Sequence, residues 1–252
     1  MGLFDLFKGK GKDEKKKSSP AAKWAEAAGS KRAQPLDRQE AIAELCKLKS
    51  ADAVQALLRR FTFTTDPSIT DQEEKDLAFE GIVAAGREAI EPVRSFVAKA
   101  ESLAWPMRIM REVLSTEEFV DELMVWLKPW DTEYAKFIDP KLQILTALSE
   151  HEHPAIIEAV KPFLEDVNES ARFHAVMATL AQKNQESLGP LLNLLIDEES
   201  VRVRSKIADG LVALGWAVGD EQRDAVRKAL PAQYGVDGSG HLTKRGGAAA
   251  MF

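Results

Sequence analysis

From Asp37 to about Leu230, apolar residues return every three to four positions, the period of helices that each bury one face. The pattern is clearest from Asn168 to Gly215. There Arg172 and Arg204 each open a helix, and small or apolar residues follow three and six positions on: Ala175 and Ala178, then Ile207 and Gly210. A second helix lies between them, with Pro190 in its first turn and Leu191, Leu194 and Leu195 on one face. The unit recurs backwards along the chain. Basic residues at Arg38, Lys75, Arg108, Lys141, Arg172 and Arg204 are spaced by 37, 33, 33, 31 and 32 residues. They stand three before Ala41, Ala78, Arg111, Ile144, Ala175 and Ile207, of which only Arg111 is neither small nor apolar.

The second helices align too. The stretch 89–97 (AIEPVRSFV) matches 187–195 (SLGPLLNLL) position for position, including Pro92 with Pro190. Val120, Leu123, Trp126 and Leu127 fit the same template, as do Ile157, Val160, Phe163 and Leu164. Weaker copies run through Val54, Leu57 and Phe61, and through Val226, Ala229 and Leu230. About six helical pairs follow, at the period of helical repeats. Neither helix of a pair buries its stripe alone, so neighbouring pairs must stack and share a core. Proline in a first turn costs little, because that N–H has no partner within the helix. Pro162 lies deeper and should bend its helix.

These residues resemble the HEAT repeats, in particular the short bacterial HEAT-like type found in phycobilin lyases. The stretches NESARFHAVMATLA and EESVRVRSKIADGLVALG look like the family's first helix, and Asp166 and Arg172 stand where its intra-solenoid Asp and Arg normally stand. The resemblance covers about 37–230 and is strongest in the last two pairs. It implies an all-α fold, a right-handed α-solenoid of about six HEAT-like pairs. Around it we expect a disordered basic N-terminal segment and linker over 1–36. A C-terminal tail should occupy 231–252, where Gln233–Asp237 and His241–Arg245 flank Gly-Ser-Gly as a small hairpin. Fold says little about function here.

The third pair departs most. Its second helix is followed by a long connection, KPWDTEYAKFIDP (128–140), where other pairs turn in a few residues. Trp126 fits the template and is expected in the core. Trp130, Tyr134 and Phe137 occupy positions where no template requires aromatics. Two readings stand. The rings anchor a partner protein, since long connections often carry function and Trp and Tyr anchor interfaces; or they plug the seam between pairs three and four, since large aromatics are usually buried. Tyr134 and Phe137, three apart, would share a face if the loop formed a helical turn.

Charge alters the picture at the N-terminus. Residues 1–32 hold nine Lys/Arg against four Asp/Glu, so the net −6 of the chain leaves −11 on the remainder. An acidic body repels nucleic-acid phosphate, so no nucleic-acid partner is expected. Leu3, Phe4, Leu6 and Phe7, followed by Lys8, Lys10, Lys12 and Lys15 to Lys17, join an apolar plug to a polybasic run. Such a run over 1–17 suits peripheral contact with an anionic membrane, at about 1 kcal/mol per basic residue. It equally suits a solubilising tail or a short docking peptide, because the apolar part is under two helical turns. No apolar run approaches the roughly 20 residues of a membrane span, and the first residues do not read as a secretory signal. The expected location is the cytoplasm, with the inner membrane face as the peripheral alternative.

Candidate chemistry is sparse. Cys46 is the single cysteine and sits among Leu45 and Leu48, a packing environment. Glu150-His151-Glu152-His153 is the one His-carboxylate cluster, at a turn where ligands alternate in direction. A diiron HEAT family, the deoxyhypusine hydroxylases, repeats His-Glu pairs, whereas this chain has one, His151-Glu152. Asp237-Gly238-Ser239-Gly240 lacks the later ligands of a calcium loop. His174 has no triad partner at a suitable spacing, and no phosphate loop occurs. No catalytic, metal or cofactor residue is assigned. The expectation is a non-catalytic scaffold or adaptor, with a HEAT-like enzyme or chromophore-lyase subunit of dispersed residues as the alternative.

Overall fold

A computed structural model describes residues 19–245. Among the described residues the chain forms thirteen α-helices and one two-stranded hairpin, so the helical class read from the periodicity is the class it adopts. No helix among them is long and apolar enough to cross a membrane. Leu3, Phe4, Leu6, Phe7, Lys8, Lys10 and Lys12 lie outside the described residues, as does the end of the tail from 246. The chain divides into two compact units, up to Pro92 and from Val93.

In the first unit, α1 (Ala22–Ala28) packs on α2 (Pro35–Leu48) and α3 (Ala51–Leu58). The linker expected up to residue 36 therefore contains an ordered helix. Ala21 and Ala28 are buried on its neighbours; because alanine is too small to mark an apolar stripe, the stretch reads as linker with room for a turn or two of helix around Trp24. Pro35 starts α2, where its missing N–H costs nothing, and Ser50 caps α3 through the Ala53 N–H. The long α4 (Ser68–Ala84) lies along α2. Their close approach needs Gly81, because a Cβ there would sit 2.2 Å from the Cys46 sulfur. Ala41, Ile42, Leu45, Leu57, Ala78 and Ile82 fill the core between them.

Beneath that core lies a charged cluster. Arg38 and Arg60 both donate to Glu74 Oε2, at 2.6 and 2.7 Å, while Arg60 and Lys75 hold the two oxygens of Asp71 at 2.7 and 2.6 Å. All five side chains are buried. Burial pushes the Asp71 carboxyl up, but bonds from Lys75, Arg60 and the Thr65 N–H outweigh it and hold the group well below the usual carboxylate range. Paired and hydrogen-bonded, these charges tie α2 and the 3₁₀ turn after α3 (Arg59–Thr62) to α4.

Helix α5 (Ile90–Val97) spans the boundary between the units. The second unit continues through α6 (Ala104–Val113), α7 (Thr116–Leu127), α8 (Asp139–Leu148), α9 (Pro154–Val160), α10 (Glu169–Ala181), α11 (Leu188–Asp197), α12 (Val201–Leu214) and α13 (Arg223–Ala229). Within it, α8, α10 and α12 lie side by side, and α11 packs on α13. Polar caps set the helix starts: Ser115 in a capping box with Glu118, Asn168 before α10 and Ser200 before α12. Ile144, Ala175 and Ile207, the positions three after the basic residues, are fully buried. Pro92 and Pro190 both occupy the third residue of their helix, after a short 3₁₀ turn. Pro162 does more than bend: α9 stops at Val160 and continues as a 3₁₀ turn from Lys161 to Glu165, since proline removes an N–H and crowds the preceding turn.

The tail forms the hairpin read from its sequence, β1 (Tyr234–Val236) against β2 (Leu242–Lys244), antiparallel. Tyr234 is buried and its hydroxyl donates to Asp209 Oδ1 on α12 at 2.7 Å. Gly240 takes φ 91° beside Val218, whose carbonyl oxygen would lie 2.4 Å from any Cβ.

Candidate functional site

The long connection between α7 and α8 is irregular from 128 to 138 and forms no helical turn on which Tyr134 and Phe137 would share a face. It begins where α7 ends, with the Trp130 N–H donating to Leu127 O at 2.9 Å. Trp126, on α7, is buried as expected, and its indole N–H donates to Glu122, itself held by Arg94. The next residues are fixed in turn. Asp131 offers its carbonyl to the Lys141 ammonium at 2.9 Å and its carboxylate to the Glu133 N–H at 3.1 Å. Thr132 O accepts the Val167 N–H at 3.0 Å, which ties the connection to the start of α10.

The three aromatics divide. Trp130 is half-buried at the root, with the Lys141 ammonium 5.7 Å from its ring centre. Tyr134 is 82% exposed and Phe137 59% exposed. They do not plug a seam, and Trp130 alone has a packing role. Among the described residues nothing is hydrogen-bonded to the Tyr134 hydroxyl.

Lys141 is itself completely buried, as is its partner Asp166, at 2.6 Å. It belongs to a series. In the fifth pair Arg172 grips Glu198 through two bonds of 2.6 and 2.8 Å and donates to Asp166 O at 2.9 Å. In the sixth, Arg204 donates to Glu199 O and Ala229 O. Each cation thus joins an acceptor 25 or 26 residues on to a backbone carbonyl ahead of its own helix, close ahead for the two arginines and ten residues back for Lys141. Burial pushes Glu198 up, yet bonds from Arg172 and the Ser200 N–H bring it below its ordinary value. Asp166 and Arg172, singled out by the family resemblance, do meet, but through the Asp166 carbonyl. The carboxylates are taken by Lys141 and Arg172 in separate pairs.

The remaining candidates go to structural partners. His153 caps α9, Glu150 pairs with Arg111, Glu152 pairs with Lys183, and His151 packs edge-on against Phe119, so the four side chains diverge. Burial pushes His151 and His174 below the ordinary imidazole value, and His174 shares a hydrogen bond with Thr146. Burial pushes the Cys46 thiol up to about 11, the direction of an inert packing cysteine. Asp237 Oδ1 gathers the N–H groups of Ser239 and His241 and the Ser239 hydroxyl, closing the hairpin turn. A groove of about 600 Å³ beside α11 exposes Glu165, Asp197 and Glu199, while its buried acids Asp166 and Glu198 are already paired. Among the described residues no three His, Cys, Asp or Glu side chains gather as a metal site would require.

The sequence marked the helix-opening cations, Asp166 and the aromatic connection, but not that Asp166 pairs with Lys141, nor the roles of Glu198 and the Asp131 carbonyl. Glu198 carried a signal, an acid two residues before the Ser200 cap, as Asp166 stands two before the Asn168 cap; the Asp131 carbonyl carried none. The chain matches no family model, and no curated protein is similar enough to lend it a function.

Proposed function

We propose that the chain is a non-catalytic interaction module of HEAT-like helical pairs that binds a partner protein through the 128–140 connection. The observation that carries this reading is the exposure of Tyr134 and Phe137 directly beyond a root that is itself firmly bonded. Rigid aromatics give contact area at small entropy cost, and interfaces are enriched in them. The repeat reading is supported by the buried template positions and by cations joined to acceptors 25 or 26 residues on. On this reading the pairs stack as a right-handed solenoid, in the cytoplasm. Residues 1–17 remain a proposed peripheral membrane contact. Liposome flotation decides that part: equal flotation of the full chain and of a chain starting at Ala33 removes it.

The test of the main reading is affinity capture from the native cell, with the full chain and with Tyr134→Ala/Phe137→Ala as bait. A protein recovered by the first and lost with the second, at equal melting temperature, supports the module. Recovery of a small chromophore or metal with no protein would instead favour the lyase-type reading.

A further inference from the structure

The structure assigns Lys141 a second task beyond pairing with Asp166: it is the positioning residue that holds the aromatic connection in a fixed form. This inference rests on the reading of that connection as the contact surface. In the fifth and sixth pairs the corresponding arginines donate to carbonyls five or six residues back, within the short turn before their helix. Lys141 reaches ten residues back, to Asp131, because the inserted segment lies between. The contact that elsewhere closes a turn therefore closes a loop here.

The chemistry of the side chain suits this. An ammonium is a compact donor of three bonds, and two go to Asp166 Oδ2 and Asp131 O at 2.6 and 2.9 Å. The rings of Trp130 and Phe163 lie 5.7 and 5.6 Å from it, so its charge faces two aromatic rings and no water. Asp166 extends the tie. Its other oxygen accepts the Asn168 N–H at 2.8 Å, and the neighbouring Val167 N–H takes Thr132 O. Four consecutive residues, 130 to 133, are thus each held before the exposed Tyr134 begins. A loop fixed in this way loses less freedom on binding than a loose one, which raises affinity with no added contact.

Amide hydrogen exchange on the full native chain tests the tie without a partner. The Glu133 and Val167 amides should be protected and those of Ala135 to Phe137 open; uniform fast exchange from 130 to 137 overturns the inference. The second arm is Lys141→Met combined with Asp166→Asn, which removes both charges so that neither is left buried alone. Its expected result is exchange about tenfold faster at Glu133 and Val167 with α10 and α12 within about twofold of wild type. An equal rise throughout the unit means that Lys141 only supports the fold, and an unchanged connection means that it holds nothing there; either result overturns the proposal. If Tyr134→Ala/Phe137→Ala leaves partner recovery intact while the exchange pattern is as expected, the contact reading fails and the tie stands.

Discussion

Lys141 and Arg172 occupy the same place in successive helical pairs, three residues before a fully buried aliphatic or small side chain, and yet they do different work. Arg172 is 20% exposed, forks onto Glu198 and closes a turn of a few residues. Lys141 is fully buried with its acid and closes a loop. The difference comes from the segment inserted ahead of α8. The longer connection brings a carbonyl and a ring to Lys141, where Arg172 meets only a short turn.

The comparison is sharpest in what each cation's loss should cost. Lys141→Met leaves Asp166 charged and buried with no cation and only the Asn168 N–H as a partner, and should destabilise the chain by about 3–5 kcal/mol in thermal or denaturant unfolding. Arg172→Met leaves Glu198 buried as well, but it removes a guanidinium that is 20% exposed, so water can reach the acid it leaves behind, and the cost should be smaller, about 2–3 kcal/mol. Equal costs would mean that the two positions are interchangeable. Next in size is Trp130→Ala, at about 2 kcal/mol for a half-buried ring beside Lys141.

Acid separates the pairs further. The folded Glu198 pKa lies below its unfolded value, so its contribution is complete above the unfolded carboxylate value of about 4.3 and is lost as the pH falls through the folded value. The stability gap between wild type and Glu198→Gln should accordingly be largest near neutral pH and close below about pH 4. A gap independent of pH would show that packing, not charge, makes that contact. The smallest effect belongs to the exposed rings: Tyr134→Ala and Phe137→Ala should each change stability by no more than about 0.5 kcal/mol.

How much of this was legible in the residues follows from range. The helical class, the frame positions Ile144, Ala175 and Ile207, and the prolines of α5 and α11 were legible because they depend on neighbours within one helix. The hairpin was legible because Gly-Ser-Gly sits between two short stretches, 233–237 and 241–245, with Tyr234, Val236 and Leu242 set among polar residues. Helix α1 was not, since its buried face is alanine. The partners of Arg38, Lys141 and Arg172 lie 25 to 36 residues away, and no local pattern announces which acid a buried cation will meet. Whether Tyr134 and Phe137 were core or surface stayed open for the same reason. It depends on where Thr132 meets Val167 across the fold.

The central claim is that the exposed rings of this connection bind a protein. Its most direct test is the affinity of the captured partner for the full chain and for Tyr134→Ala/Phe137→Ala, measured side by side below the melting transition of both. The account predicts a loss of about thirtyfold or more, the size of an interface anchor near 2 kcal/mol, with unfolding unchanged. Affinity within about twofold of wild type would contradict it and move the contact elsewhere on the molecule.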